Sequence, residues 1–292
     1  MRYLVHHPIH FFCGALIALA FGACSDDTTP VDARVVDATV DVGTLTDTTV
    51  TPSDGPSKQD GTQTHDTLHQ DSGGESKGLL ADHTASGAFS SISTAALGAA
   101  RAKFGKIFYG HTSHGGQIVS GLNMLETEDG TKYAMPTLVE YDGDLGHDGD
   151  TAWVTATKNA LSAADHGIKM VVWSWCGGAS DNTTAGINTY LTEMNALEQA
   201  YPDIVFVYMT GHLDGTGPTG PLYTSNNQIR TYCKDHSKVL FDFADIESYD
   251  PDGTYYPDED DSCQWCSTWC STHSCPSCND CAHSHCFNCL SE

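Results

Sequence analysis

Basic residues are scarce: 13 Lys and Arg stand against 38 Asp and Glu in 292 residues, a formal charge of −25. A surface of that sign repels phosphate backbones, which excludes nucleic acid as a partner. Long apolar runs are scarce as well. The sustained one, Phe11 to Phe21, falls short of the about 20 residues that cross a bilayer, and no later segment is apolar and long enough to span. Its setting is a weakly basic start with Arg2 and several histidines, closed by the small residues Gly22 and Ala23. That pattern predicts a cleaved secretory signal peptide over residues 1–23.

The Gly22-Ala23-Cys24 junction resembles the lipobox of bacterial lipoproteins, where the cysteine thiol takes a diacylglycerol. The resemblance implies an acylated Cys24 that holds the chain to a lipid bilayer in the cell envelope. Because Ser25 rather than Asp follows, it implies the outer membrane or cell surface. The alternative is an ordinary signal peptide with an incidental Cys24. Residues 24 to 84 are rich in Thr, Asp, Ser and Gly, with a short irregular Val-Asp repeat between Val31 and Val42. Such a stretch buries too little apolar surface to offset its ordering entropy, so a disordered acidic tether is expected.

Cysteine, by contrast, is plentiful. Of twelve, Cys13 leaves with the leader and Cys24 is the lipidation candidate, so ten remain. Cys176 and Cys233 fall in the globular part; Cys263, Cys266, Cys270, Cys275, Cys278, Cys281, Cys286 and Cys289 crowd the C-terminus. In an exported chain an even set of this density predicts disulfides, with residues 263–292 as a disulfide-rich tail. The CxxC spacings also resemble zinc ribbons, a pattern of reducing compartments.

Between residues 85 and 262 the pattern becomes alternating helices and strands. Helices are expected over Ser91–Lys103, from Ile118 toward Gly130, over Ala152–Ala164, through Ile187, Leu191, Met194 and Leu197 with Asp181 or Asn182 as cap, and over Asn226–Asp235. Strands are expected at Lys106–Tyr109, Thr137–Tyr141, Ile168–Ser174, Ile204–Thr210 and Val239–Phe243. Apolar strands without strict alternation, separated by helices, predict a three-layer, doubly wound parallel sheet of the α/β class, flavodoxin-like in outline.

Ligands of such sheets bind at the carboxyl ends of the strands. Those positions hold Gly110-His111-Thr112-Ser113-His114, Trp175-Cys176-Gly177-Gly178, Gly211-His212-Leu213-Asp214, and Asp242 with Asp245. Ser113 lies between a strand and a helix start, where unpaired N–H groups favour a developing oxyanion. Its hydroxyl needs a base, and Asp280-Cys281-Ala282-His283 offers an imidazole with an acid three residues before it.

A serine after the first strand with a DxxH near the C-terminus resembles the SGNH/GDSL hydrolases. The resemblance implies Ser113 as nucleophile, His283 as base and Asp280 as its orienting acid. It also implies Gly143, Gly146 or Gly177 as oxyanion donors, a small ester or glycan ester as substrate, and no cofactor. Two alternatives stand beside it. The family's Gly-x-Asn-Asp block is absent, which fits a non-catalytic surface binding module. And His111, His114, His212 and Asp214 form a second constellation that suits zinc and a metal-activated water. The acidic stretches at Asp142, Asp144, Asp148 and Asp150, and at Asp250, Asp252 and Asp258 to Asp261, read as solvated turns rather than calcium loops. Trp153, Trp173 and Trp175 read as core residues.

Overall fold

A computed structural model describes residues 78–262 and 264–273. The leader, Cys24, the tether as far as residue 77, and the tail residues Asp280, His283, Cys263, Cys275, Cys278, Cys281, Cys286 and Cys289 lie outside the described residues.

Six strands form one all-parallel sheet: β1 (Leu80–Ala81), β2 (Lys106–His111), β3 (Thr137–Asp142), β4 (Met170–Trp173), β5 (Val205–Met209) and β6 (Val239–Phe241). They lie side by side in the order β1-β6-β5-β4-β2-β3. Counted from β2, the five longer strands run 2-1-3-4-5, the order of flavodoxin-type sheets. The helices are α1 (His83–Ala88), α2 (Thr94–Phe104), α3 (Gly116–Glu128), α4 (Ala152–Ala160), α5 (Gly178–Asp181), α6 (Thr184–Ala200), α7 (Pro221–Asp235), α8 (Phe243–Glu247) and α9 (Trp265–Thr272).

Successive strand residues point to opposite faces, and both faces are apolar. Ile107, Tyr109, Met170, Val172, Val207 and Met209 pack with Leu97 and Phe104 of α2 and Ile118, Leu122 and Leu125 of α3. Phe108, Val171, Trp173, Phe206 and Tyr208 pack on the other side with Trp153 of α4, Ile187, Leu191 and Met194 of α6, and Leu222 and Ile229 of α7. A strand covered on both sides has no polar face to show, which is why β4 reads as an unbroken apolar run. Trp153, Trp173 and Trp175 are all buried in this second core.

Trp173 lies against the backbone of Gly110 on the neighbouring strand: a Cβ there would fall 2.1 Å from the indole Cε3. Gly110→Ala is therefore expected to destabilise the fold by about 1–3 kcal/mol or more, read as a lower urea midpoint at unchanged m-value.

Four expectations need correction. Order begins before residue 85: β1 pairs with β6, Ala81 is buried, and the Asp82 carboxylate accepts the Thr84 and Ala85 amides at 2.9 and 3.2 Å to cap α1. Helix α6 is capped by Thr183, whose hydroxyl accepts the Gly186 amide at 3.1 Å. Asn182 is engaged elsewhere, its Oδ1 accepting the Gly149 amide at 2.9 Å, and Asp181 closes α5. Helix α7 starts at Pro221, a residue preorganised for a first turn, rather than at Asn226. Finally, the first part of the tail belongs to the domain: Trp265 of α9 is buried, stacks on Tyr256 and donates to the Glu247 carbonyl at 2.9 Å.

Candidate functional site

Strands β2 and β4 are neighbours, yet the chain leaves β2 toward β3 at one edge and leaves β4 toward β5 on the other side. Their carboxyl ends thus form the switch point where sheets of this order open a crevice. The residues that follow these two strands meet there.

After β2 the backbone turns sharply. Ser113 has φ +36°, a left-handed value that is uncommon for a residue with a side chain. The turn is pressed against β4: a Cβ on Gly115 would lie 2.3 Å from Ser174 Oγ. The Tyr109 hydroxyl fixes the turn by donating to the Gly115 carbonyl at 2.8 Å. After β4, pairing continues through Ser174, whose amide donates to the Gly110 carbonyl at 2.9 Å. The Trp175 indole then donates to the Met209 carbonyl at 2.9 Å, and Gly177 takes φ +74° ahead of α5. Cys176 sits between these two anchored residues, half-buried and with a free thiol.

Around the thiol the polar groups form a row. The His114 imidazole and the Thr112 and Ser113 side chains surround Cys176 and favour its thiolate. His114 Nε2 is ion-paired with Asp261 Oδ2. Burial alone would drive the imidazole toward its neutral form, but the hydrogen bonds to Asp261 and Cys176 outweigh it and hold the group protonated up to about 10. The hydrogen bond from His114 leads in pulling the Cys176 thiol below its ordinary value, against its partial burial. A thiol beside a cationic imidazole is in the setting that makes cysteine a nucleophile.

His212, at the end of β5, closes the row. Its ring centroid is 4.0 Å from that of His114. Its Nδ1 donates to the Leu213 carbonyl at 2.7 Å, so Nε2 carries the lone pair and accepts the Gly177 amide at a long 3.3 Å. Burial, and then the charge on His114, keep His212 below its ordinary value. Beneath it, Glu247 Oε2 accepts the Leu213 amide at 2.7 Å. The Glu247 carboxyl is fully buried, and burial raises it to about 8.

Asp261 reaches His114 because its loop folds over the end of β5. Asp260 bridges to Asp214, the Gly215 amide donates to the Glu259 carbonyl at 3.2 Å, and Asp260 Oδ1 accepts the Ser262 amide at 2.8 Å.

The comparisons are silent. No family model, no curated protein and no solved structure matches the chain.

Of the residues singled out in the sequence, Ser113 stands at the switch point, while Asp280 and His283 lie outside the described residues. Within the proposed zinc set the structure unites His114 and His212 only. His111 turns to Glu140 at 3.0 Å and stacks on Tyr109, and the Asp214 carboxylate accepts the Thr216 amide at 3.0 Å in a local turn. All three oxyanion candidates have engaged amides: Gly143 donates to the His111 carbonyl at 3.2 Å, Gly146 to Asp144 Oδ1 at 3.1 Å and Gly177 to His212 Nε2 at 3.3 Å. The Gly177 amide, next to Cys176, faces His212.

The disulfide expectation for Cys176 and Cys233 is corrected, since both thiols are free. Cys233 is buried on α7 within the second core, where burial raises its thiol, whereas Cys176 is turned to the polar groups of the carboxyl edge. Sequence reasoning missed Cys176 as a reactive group, and missed Asp261 and Glu247. For Cys176 a signal was present, because it follows a predicted strand and precedes Gly177-Gly178.

Proposed function

We propose that the carboxyl edge of the sheet is the active site of a hydrolase that cleaves acyl esters through a covalent thioester on Cys176. The observation that carries this reading is the ion pair of His114 with Asp261 beside the Cys176 thiol at the switch point of a parallel sheet. It has the three parts of a nucleophile, base and orienting-acid relay.

In this reading the Cys176 thiolate attacks the ester carbonyl carbon, and the new C–S bond leaves a tetrahedral oxyanion. The Ser113 and Thr112 hydroxyls, which flank the sulfur, supply donors for that charge. Collapse breaks the C–O bond. The alcohol leaves with the proton of the His114 imidazolium, and an acyl-thioester remains. Neutral His114 then takes a proton from water as it attacks the thioester, and the thiolate returns with release of the acid. Asp261 holds the imidazole in place and stabilises its charged form.

A cleft of about 390 Å³ on the Thr112 and Ser113 side of the thiol, lined by these two residues with His111, Gly116, Glu140, Tyr141 and Asp142, supplies room for a small ester. Its two carboxylates make it unsuited to anionic substrates. An acetylated glycan fits both the cleft and an envelope location reached through signal peptide and acylated Cys24. The three-layer, doubly wound description of the fold, akin to the SGNH hydrolases, is supported by the strand order and by helices packed on both sheet faces.

One observation favours a second reading, in which Ser113 is the nucleophile and the tail brings His283 and Asp280 to it. Ser113 combines a strained φ of +36° with a place on the cleft wall, as nucleophiles on sharp strand-to-helix turns do. Both readings make the protein an ester hydrolase. Mixed with a chromogenic acetate ester, it is expected to release a burst of about one equivalent of chromophore and then turn over more slowly. If neither burst nor turnover occurs, and neither thiol reagents nor fluorophosphonates label the edge, a non-catalytic binding module takes its place.

A further inference from the structure

The row of polar groups holds more nitrogen and oxygen donors than the thioester route uses. His212 has no part in that route, yet its ring lies 4.0 Å from His114 and its Nδ1 is 3.7 Å from Asp261 Oδ2. One ligand atom from each of His114, His212 and Asp261 can be chosen so that all three lie within 4.8 Å of one another. Ligand atoms on a tetrahedral zinc ion stand ~3.3 Å apart, so closing the three on one ion needs side-chain shifts rather than a rebuilt backbone. The Cys176 thiol lies beside His114, at the edge of this triad.

Outer groups are arranged as they are around metal-binding histidines. The Nδ1–H of His212 is fixed by the Leu213 carbonyl, so a metal would take the Nε2 lone pair in place of the Gly177 amide, and Leu213 is itself held by the Glu247 carboxyl. Two imidazoles and a carboxylate form a nitrogen-rich set, which selects zinc over calcium or magnesium. The other His/Asp triad among the described residues, Asp82–His83–Asp245, is spent on structure: Asp82 caps α1 and Asp245 receives both the amide and the ring of His83.

The geometry points to a zinc site made by His114, His212 and Asp261, whose occupation closes the covalent centre by engaging its base and shielding the Cys176 thiol beside it. The closure rests on the hydrolase reading; the metal site does not.

The test uses the full chain, stripped with a chelator, and follows iodoacetamide alkylation of Cys176 on its own tryptic peptide. That readout ignores zinc taken by the cysteines of the tail. Added Zn²⁺ is expected to slow alkylation of Cys176 by about tenfold or more, with reversal by chelator and no effect of Mg²⁺ or Ca²⁺. In His212→Ala, and separately in Asp261→Asn, the protection should fall to about twofold or less. Equal protection in wild type and both variants would mean capture by the thiol alone and would overturn the site, as would no protection at all. Protection without loss of ester turnover would overturn the closure. Protection in a protein with no turnover at all would leave the zinc site standing and remove the hydrolase reading.

Discussion

Cys176→Ala is expected to lower kcat/KM for a chromogenic acetate ester roughly 10⁴-fold or more, while Ser113→Ala lowers it about ten- to a hundredfold. The difference follows from what each side chain does in the row. Cys176 supplies the atom that bonds to the acyl carbon, and alanine leaves His114 and Asp261 with nothing to activate. Ser113 supplies a hydrogen bond to the oxyanion, and Thr112 stands beside it as a second donor. Steady-state kinetics on the two variants rank the nucleophiles. The reverse order, with Ser113→Ala inactive and Cys176→Ala nearly intact, would transfer the chemistry to Ser113 and the tail.

Glu247→Gln is expected to remove a large share of the fall in stability between pH 5 and pH 8.5, the protonated His114 supplying a further share above about 6.5. Glu247 is fully buried, and its Oε1 makes no hydrogen bond in the structure. Burial leads in raising its carboxyl to about 8. The Leu213 amide and the charge of His114 favour ionisation, and Asp261 and Asp260 oppose it. In the unfolded chain a glutamate ionises near about 4.3. A group that holds its proton more tightly when folded gives its full stabilisation below the unfolded value and loses it as pH rises through the folded one. The unfolding free energy of the wild type should therefore fall toward pH 8.5, by on the order of 3–5 kcal/mol through this one group. Glutamine keeps an acceptor for the Leu213 amide and does not ionise, so its profile should be flatter by that amount. Urea titrations in chelator across the range measure the difference; parallel profiles would show that Glu247 ionises normally.

What could be read from the sequence, and what could not, follows from the range of each interaction. Apolar runs such as Met170–Trp173 and the spacing of Ile118, Leu122 and Leu125 are local signals, and they lead to a parallel α/β sheet with Ser113, Cys176 and His212 at strand ends. Strand β1 has two residues, too few to show any alternation, so its pairing with β6 was hidden inside a polar stretch. Asp261 belongs to an acidic run whose composition is that of a solvated loop. Its approach to His114 depends on the Asp214–Asp260 bridge, a contact between distant segments that leaves no periodic trace. Cys176 was assigned to a disulfide by the parity of the cysteine count, a rule blind to the imidazole beside it. For His114 the chemistry was legible and the partners were not: a histidine at a strand end announces a ligand or a base, but Asp261 and Cys176 come from two other loops.

Acid-quenching the protein during turnover of an acetate ester, then mapping the retained acetyl group on tryptic peptides, tests the covalent centre most directly. Ser113 and Cys176 fall on different peptides, separated by cleavage after Lys132, Lys158 and Lys169. The acetyl group should be found on the peptide that carries Cys176, released by hydroxylamine as a thioester is. An acetyl group on the Ser113 peptide, with Cys176 unmodified, would contradict the account.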